Sequence, residues 1–258
     1  MTTSTVDVQD LERRVKDVYR EVALRPDRTY HFEMGRPLAE RLGYPGDLLD
    51  QVPPSALDSF AGVGYFLDLA APAAGERALD LGSGSGTDSF ALSHLVGPGG
   101  QVTGLDMTDE QLAKADRLRV YAGRDNVKFV RGYIQDPPLP DQSVELVVSN
   151  GVINLAADKA AVFRAAARVL APGGRLALAD IVSDRPLDAV ITCNAELWAS
   201  CIGGATQIDT YVATIEQAGL TVTSVRENPE YRFLSESAQG ATNTYGIRSI
   251  SLLAIRSA

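Results

Sequence analysis

The residues best suited to chemistry lie in one short loop, which reads Asp80-Leu81-Gly82-Ser83-Gly84-Ser85-Gly86. An apolar run precedes the loop and helix-forming residues follow from Thr87, so the loop is predicted to join a buried strand to a helix. Glycines let the backbone turn tightly and approach a ligand, and a helix start offers unpaired N–H groups. The loop therefore predicts a nucleotide site, although a tight turn without a ligand would use the same residues.

Two acidic residues narrow the choice of nucleotide. Asp106 ends the next apolar run, 20 residues beyond Gly86, where a carboxylate meets ribose hydroxyls. The glycines follow the spacing G-x-G-x-G, because the third glycine of a dinucleotide motif would fall on Thr87. Asp80 would repel a pyrophosphate and would attract an ammonium group. The pattern therefore favours S-adenosylmethionine over NAD.

The elements that position this loop alternate between strand and helix. Helical patterns cover Thr87–Leu95, Asp109–Ala122, Lys159–Leu170 and Ile208–Ala218. Apolar runs predict strands at Arg77–Leu81, Gln101–Asp106, Val127–Gly132, Leu146–Ser149, Gly174–Asp180, Thr221–Glu227 and Ile247–Ile255. This order predicts a seven-stranded, mostly parallel, doubly wound α/β sheet of the Rossmann-like type. Residues 228–246 show no helical pattern, so the last two strands should form an antiparallel pair at one edge.

The N-terminal region lacks this alternation. Helices are predicted at Val6–Val22 and Pro37–Leu42, and a stretch containing proline and glycine follows them. We expect residues 1–72 to form a helical cap or lid. Residues 73–258 should form the cofactor-binding domain, in one structural unit with the cap.

Composition restricts the partners. The chain has 258 residues and a net charge of −9, and its Lys and Arg residues form no cluster, which argues against nucleic acid as a partner. No window reaches the roughly 18 apolar residues of a membrane span. The N-terminus has no apolar segment of the signal-peptide type, and two cysteines cannot build a disulfide scaffold. We expect a cytoplasmic protein with a small molecule as its partner.

Several motifs resemble one enzyme family. LDLGSGSGTDSF at Leu79–Phe90 resembles the first motif of class I S-adenosylmethionine-dependent methyltransferases. More specifically, the chain resembles the arsenite methyltransferases over residues 75–220. The segments that carry this narrower resemblance are GLDMTDEQL from Gly104, NVKFVRGYIQD from Asn126, SNGVINLAADK from Ser149, VLAPGGRLALADI from Val169 and LWASCIGGA from Leu197.

The resemblance implies a role for each matching residue. The methionine end and backbone of the cofactor would be held by Asp80, Gly82, Ser83, Gly84 and Gly86. The ribose would be bound by Asp106, and the adenine would contact Met107, Ile134 and Gln135. Asn150, at the end of the fourth strand, would lie close to the sulfonium and is a candidate catalytic residue.

Cysteines mark where the chain departs from the family. Arsenite methyltransferases bind trivalent arsenic through thiolates, because a soft centre prefers sulfur ligands. Cys201 matches one family cysteine, whereas Gly151 stands where the family segment reads SNCVINL. Residues 1–192 contain no cysteine, and Cys193 aligns with no arsenic ligand. Cys201 fits either an acceptor-pocket thiol with a catalytic role or a small buried core residue.

The acceptor side rests on few other residues. Tyr30 and His31 lie in the predicted cap, where they could close over an acceptor. His31 is a candidate base if the acceptor must lose a proton, or else an anchor of its loop. Trp198, one helical turn before Cys201, is either a pocket wall or part of the core. No metal site is predicted.

These observations predict an S-adenosylmethionine-dependent methyltransferase of a small molecule, similar to the arsenite methyltransferases. The alternative acceptor is an organic O-, N-, S- or C-nucleophile. Two rivals from other classes stay open: an NAD-dependent oxidoreductase, and a non-catalytic sensor that binds a soft metalloid.

Overall fold

A computed structural model of the chain describes residues 6–193, 198, 202–234 and 236–257. Its central feature is a mixed β-sheet with the strand order β3-β2-β1-β4-β5-β8-β7. The strands are β1 Arg77–Leu81, β2 Gln101–Asp106, β3 Val127–Arg131, β4 Val144–Asn150, β5 Leu170–Ser183, β6 Thr206–Gln207, β7 Leu220–Glu227 and β8 Arg248–Arg256. Strands β1 to β5 pair in parallel, β6 pairs with β5, and β8 runs antiparallel to both β5 and β7.

Helices cover both faces of the sheet. They are α1 Val8–Leu24, α2 Arg36–Arg41, α3 Gly46–Leu49, α4 Pro54–Leu57, α5 Leu67–Ala70, α6 Thr87–Val96, α7 Asp109–Tyr121, α8 Lys159–Val169, α9 Ala189–Thr192, α10 Ile208–Gln217 and α11 Glu236–Tyr245. A single 3₁₀ turn spans Ile153–Leu155. None of the described helices is long and apolar enough to cross a membrane.

The first helix forms for reasons visible in its sequence. Asp7 caps its N-terminus by accepting hydrogen bonds from the backbone N–H groups of Gln9 and Asp10. Leu11, Val15 and Val22 recur on one face and are buried. This face packs into the same apolar cluster as α6 and one side of the sheet, while α8 and α10 fill a second cluster on the other side.

The sheet brings three polar residues to one edge. The strand order changes direction between β1 and β4, and ligands bind at such a switch point outside the carboxyl ends of the strands. Asp80 lies near the end of β1, Asp106 ends β2 and Asn150 ends β4. The fold therefore confirms the predicted mostly parallel sheet and its antiparallel pair, and it places Asp80, Asp106 and Asn150 at the same edge.

Three features differ from the sequence-based expectation. Helix α11 occupies the connection for which no helical pattern was found, and the short strand β6 was not predicted. Strand β5 begins at Leu170 and not at Gly174, because the Pro172–Gly174 segment continues as an irregular strand with a register shift against β4. The division into a cap over residues 1–72 and a domain over residues 73–258 stays a prediction.

Candidate active site

The glycine loop adopts backbone conformations that require glycine. Gly82, Gly84 and Gly86 have φ angles of +76°, +53° and +96°, which L-residues with a side chain rarely adopt. A Cβ at Gly82 would also lie only 2.4 Å from a methyl group of Val152. The N–H group of Gly82 donates to Leu105 O at 2.8 Å, so the loop is tied to the end of β2.

Asp106 holds the loop from the neighbouring strand. Its two carboxylate oxygens accept hydrogen bonds from the backbone N–H groups of Gly84 at 2.9 Å and Thr108 at 2.8 Å. Burial raises the pKa of Asp106, and these bonds oppose the rise. Each carboxylate oxygen has a second lone pair, so Asp106 can accept further hydrogen bonds on its open side.

Two buried carboxylates lie behind the loop. Asp80 is 2% exposed and accepts a hydrogen bond at 2.6 Å from the Ser89 hydroxyl. Burial and the negative charge of Asp88 raise the pKa of Asp80 to about 8. Burial also raises the pKa of Asp88 to about 6, although Tyr44 and Asn150 donate to it. Within the described part of the chain, no Lys, Arg or His forms an ion pair with either carboxylate. The pair is therefore suited to bind a cationic group.

Asn150 is held by the protein on both ends of its amide. Its Oδ1 accepts from the N–H of Val63 at 2.8 Å, and its Nδ2 lies 3.1 Å from Gly64 O, 3.0 Å from Asp88 Oδ2 and 3.0 Å from the Tyr44 hydroxyl. The structure thus places Asn150 at the switch point with its amide already engaged. Its predicted place beside the sulfonium stays a prediction.

These groups line a cavity of about 180 Å³. Most of the predicted cofactor residues line it: Asp80, Gly82, Ser83, Gly84, Asp106, Met107, Ile134, Gln135 and Asn150. Gly86 is not among the lining residues. It lies directly before α6 and packs against the rings of Phe129 and Phe90, which leave no room for a Cβ. The described lining residues include the carboxylates of Glu12, Asp80, Asp88 and Asp106, but no Lys, Arg, His or Cys.

One wall of this cavity is not predicted from the sequence. Helix α1 contributes Val8, Leu11, Glu12, Val15 and Tyr19 to the lining. The helix is fastened to the sheet domain through polar contacts, because the Tyr133 hydroxyl donates to Glu12 at 2.7 Å and Gln111 donates to Tyr19 O at 2.8 Å. The apolar residues of α1 recur every three or four positions, which predicts a buried face but does not show what that face packs against.

Two polar atoms in the cavity wall have no described protein partner. Ser83 Oγ and Gln135 Oε1 are buried and form no hydrogen bond in the described structure. Buried polar atoms are nearly always paired, so an unpaired atom in a cavity wall indicates a ligand or water contact. Both atoms lie on loops that the sequence assigned to the cofactor.

The predicted acceptor residues do not join this cavity. The Tyr30 hydroxyl donates to Arg25 O at 2.9 Å, and the Tyr30 and His31 rings pack on Phe32 with centroids 5.6 and 4.6 Å apart. Neither residue is among those that line the cavity. The prediction for Cys201 falls outside the described residues.

Trp198 lies in a second cavity beside α8. Its Nε1 donates to Thr192 O at 2.8 Å, and Lys159 Nζ lies 4.7 Å from the centre of its ring. Lys159 also donates to Asn154 O and Ala156 O, and burial lowers its pKa to about 8. The indole therefore packs over a cation that closes the 3₁₀ turn, and it is not part of the wall of the first cavity.

Asp180 is engaged next to this cation. One of its oxygens accepts from the Tyr211 hydroxyl at 2.6 Å, and the other accepts from the N–H groups of Ile181 and Asn154. Burial raises the pKa of Asp180 to about 6. Asp180 therefore connects β5, α10 and the turn after β4.

Comparisons with known proteins give related findings. A family model described as a methyltransferase domain matches residues 72–219. An arsenite methyltransferase of Halobacterium salinarum is 39% identical over 192 residues, which cover 74% of this chain and 49% of the relative. An arsenite methyltransferase of Aquipseudomonas alcaligenes is 46% identical over 167 residues, which cover 61% of this chain and 47% of the relative. The chain spans about half the length of these curated relatives.

A solved structure matches over a larger share. The crystal structure of an arsenic(III) S-adenosylmethionine methyltransferase from Chlamydomonas reinhardtii gives a TM-score of 0.64 at 29% identity. The match covers 88% of this chain and 75% of that one.

Proposed function

The chain belongs to the methyltransferase-domain family of the class I fold, whose cofactor is S-adenosylmethionine, and on this premise we propose that it transfers a methyl group to a small-molecule acceptor. The observation that carries the proposal is the pair of buried carboxylates, Asp80 and Asp88, beside the glycine loop. Near pH 7 the pair shares a proton and carries about one negative charge, which has no cationic group beside it in the described structure. The amino-acid end of S-adenosylmethionine supplies such a group.

The residues on the cavity wall fit the rest of this cofactor. Asp106 can accept hydrogen bonds from two ribose hydroxyls on the side that faces away from Gly84. Ser83 Oγ and Gln135 Oε1 are buried polar atoms that need partners. Met107 and Ile134 provide apolar surface for a planar base. The assignment of individual residues to parts of the cofactor remains part of the proposal.

The protein contributes mainly by positioning. When bound, S-adenosylmethionine supplies a methyl group on a sulfonium, which an in-line nucleophile can remove without an enzyme-bound intermediate. Helix α1 and the segment Phe60–Gly62 line the cavity on the side of the N-terminal region and would limit its contact with water. Holding two reactants together in a dry site can supply much of the catalysis of such a reaction. The carboxylates of the site hold the cationic end of the cofactor in one place.

The charge of the cavity restricts the acceptor. Its described lining residues include no basic side chain; of their four carboxyl groups, Glu12 is paired with Lys16 and Asp80 holds a proton near pH 7, which leaves Asp88 and Asp106. An anionic acceptor would be repelled from such a cavity, so we propose a neutral or cationic one. Arsenite is neutral near pH 7 and meets this condition, as in the arsenite methyltransferase relatives. An organic nucleophile meets it equally, and no described residue of the wall offers a thiolate.

The first experiment is a calorimetric titration with S-adenosylhomocysteine, which has the same amino-acid and adenosine ends but no transferable methyl group. We expect saturable binding by the wild-type chain and binding at least tenfold weaker by Asp80→Asn. NADH serves as the matched control ligand, because its pyrophosphate should be repelled. Binding of NADH in place of S-adenosylhomocysteine would instead support the oxidoreductase.

The second experiment measures turnover. The chain is incubated with S-adenosylmethionine and three acceptor sets: arsenite with glutathione, neutral phenols and amines, and an organic diphosphate. Release of S-adenosylhomocysteine is expected with arsenite or a neutral acceptor and not with the diphosphate. Turnover with the diphosphate alone would contradict the proposed acceptor class. Arsenite binding without turnover of any set would favour the sensor.

A further inference from the structure

Tyr44 links the N-terminal region to the buried carboxylates. It follows α2, in the Gly43–Gly46 segment that the sequence marks as the end of a helix, and only 3% of it is exposed. Its hydroxyl donates to Asp88 Oδ1 at 2.5 Å and accepts from Asn150 Nδ2 at 3.0 Å. The ring packs edge-on against Phe60 at 5.2 Å between centroids, which fixes the direction of the hydroxyl.

Asp88 and Asn150 share further contacts around this hydroxyl. The second oxygen of Asp88 accepts from Asn150 Nδ2 at 3.0 Å, so carboxylate, amide and hydroxyl form a closed set. Asp88 lies in the first turn of α6, directly after the glycine loop, and both Asp88 and Asn150 line the cavity. Tyr44 is not among the lining residues, so it can act on a ligand only through these two.

We propose that Tyr44 is a positioning residue, whose hydroxyl orients Asp88 and Asn150 for the amino-acid end of the cofactor and keeps the Asp88 carboxylate charged. This inference rests on the proposed function, because it assumes that the cavity binds S-adenosylmethionine. It gives the N-terminal region a role in cofactor binding besides lining the cavity.

The electrostatics make the role of the hydroxyl measurable. Asp80 from β1, Asp106 from β2 and the Tyr65 phenol are the other titratable groups near this set, and none of them is basic. Burial and Asp88 raise the pKa of Tyr44 well above its ordinary value, so the phenol stays protonated and donates. Removing this donor raises the pKa of Asp88 further above its present value of about 6. A larger fraction of Asp88 is then neutral below pH 7, and affinity for an ammonium group falls there.

The test compares Tyr44→Phe with the wild-type chain by calorimetric titration of S-adenosylhomocysteine at pH 6.5 and pH 8.5. We expect the variant to bind about fivefold more weakly than wild type at pH 6.5, because a hydrogen bond to a charged group shifts a pKa by one unit or more. At pH 8.5 the difference should shrink to less than twofold. The ligand itself titrates in both measurements, so its effect cancels in the ratio, whereas Asp80 titrates together with Asp88 and belongs to the measured difference.

The matched control is Tyr65→Phe, which removes a phenol that packs edge-on against the Tyr44 ring at 4.8 Å. Its affinity ratio to wild type should be the same at both pH values. An equal loss at both pH values for Tyr44→Phe, or no loss at either, would overturn the inference, because a packing role alone has no pH dependence. Absence of wild-type binding would refute the proposed function itself.

A second variant keeps the inference testable if Tyr44→Phe does not fold. In Asp88→Asn the group that Tyr44 acts on no longer titrates. The affinity of this variant, divided by that of wild type, should rise as the pH falls from 7.5 to 5.5. A ratio that stays constant over this range would overturn the inference.

Discussion

Replacing Asp80 by Asn should stabilise the free protein while weakening cofactor binding. Burial and Asp88 raise the pKa of Asp80 from 3.8 to about 8. Between these two values the folded protein binds a proton that the unfolded chain does not bind. Stability therefore falls as the pH rises through this window, by about 1.4 kcal/mol per pH unit for one group. Asn carries no charge and can still accept the hydrogen bond from Ser89.

The expected size follows from the width of the window. From pH 5 to pH 8 the wild-type chain should lose about 4 kcal/mol relative to Asp80→Asn. Asp80 and Asp88 titrate as a pair, so this loss belongs to both carboxylates. The variant should therefore be similar to wild type in stability at low pH and clearly more stable at pH 8.

Urea denaturation at pH 5, 6, 7 and 8 measures this difference. The control is Asp125→Asn, which makes the same side-chain change at an exposed position in the turn before β3, away from the buried pair. The same samples are titrated with S-adenosylhomocysteine at pH 8, where Asp80→Asn should bind at least tenfold more weakly. Parallel stability curves for Asp80→Asn and wild type would refute the reasoning, because Asp80 would then titrate as it does in the unfolded chain.

Three further substitutions test other parts of the structure. Asp106→Asn keeps one oxygen acceptor but turns an amide donor toward the N–H of either Gly84 or Thr108. Calorimetry should therefore show at least tenfold weaker cofactor binding, and denaturation should show a loss of about 1–3 kcal/mol in the free energy of unfolding. Gly82→Ala combines a positive φ with a contact of 2.4 Å to Val152 and should lose about 2–4 kcal/mol, whereas Gly97→Ala, at φ +66° with nothing within 4 Å, should lose only the conformational part of about 1–2 kcal/mol. The lowered pKa of Lys159 means that the unfolded chain binds the extra proton between pH 8 and 10.5, so wild type should gain about 2 kcal/mol over Lys159→Met from pH 8 to pH 10.

The sheet and the cofactor loop were predictable because local signals determine them. The apolar run that contains Asp80 ends at Leu81, as β1 does, and the next run ends at Asp106, as β2 does. The matched family model confirms the resemblance to the methyltransferases. Helix α11 escaped prediction because Glu236–Tyr245 is rich in small and polar residues and lacks an apolar stripe. Its position depends on tertiary contacts, which periodicity does not reveal.

The roles of Tyr44 and Trp198 could not be read from sequence spacing. Tyr44 lies 44 residues before Asp88, its hydrogen-bonded partner, and only the fold brings them together. The indole of Trp198 packs over Lys159 and lines the second cavity, a neighbourhood that its spacing in the sequence does not reveal.

The glycine at position 151 has a structural role besides standing where the resemblance to the arsenite methyltransferases implies a cysteine. Gly151 has a φ of +70°, a conformation that costs an L-residue about 1–2 kcal/mol. A Cβ there would also lie 3.0 Å from a methyl group of Val63, whose backbone N–H holds Asn150. A cysteine at this position would therefore be strained by its backbone conformation and would press on Val63. Because the N–H of Val63 holds Asn150, the identity of residue 151 bears on the position of Asn150 as well as on the presence of a thiol.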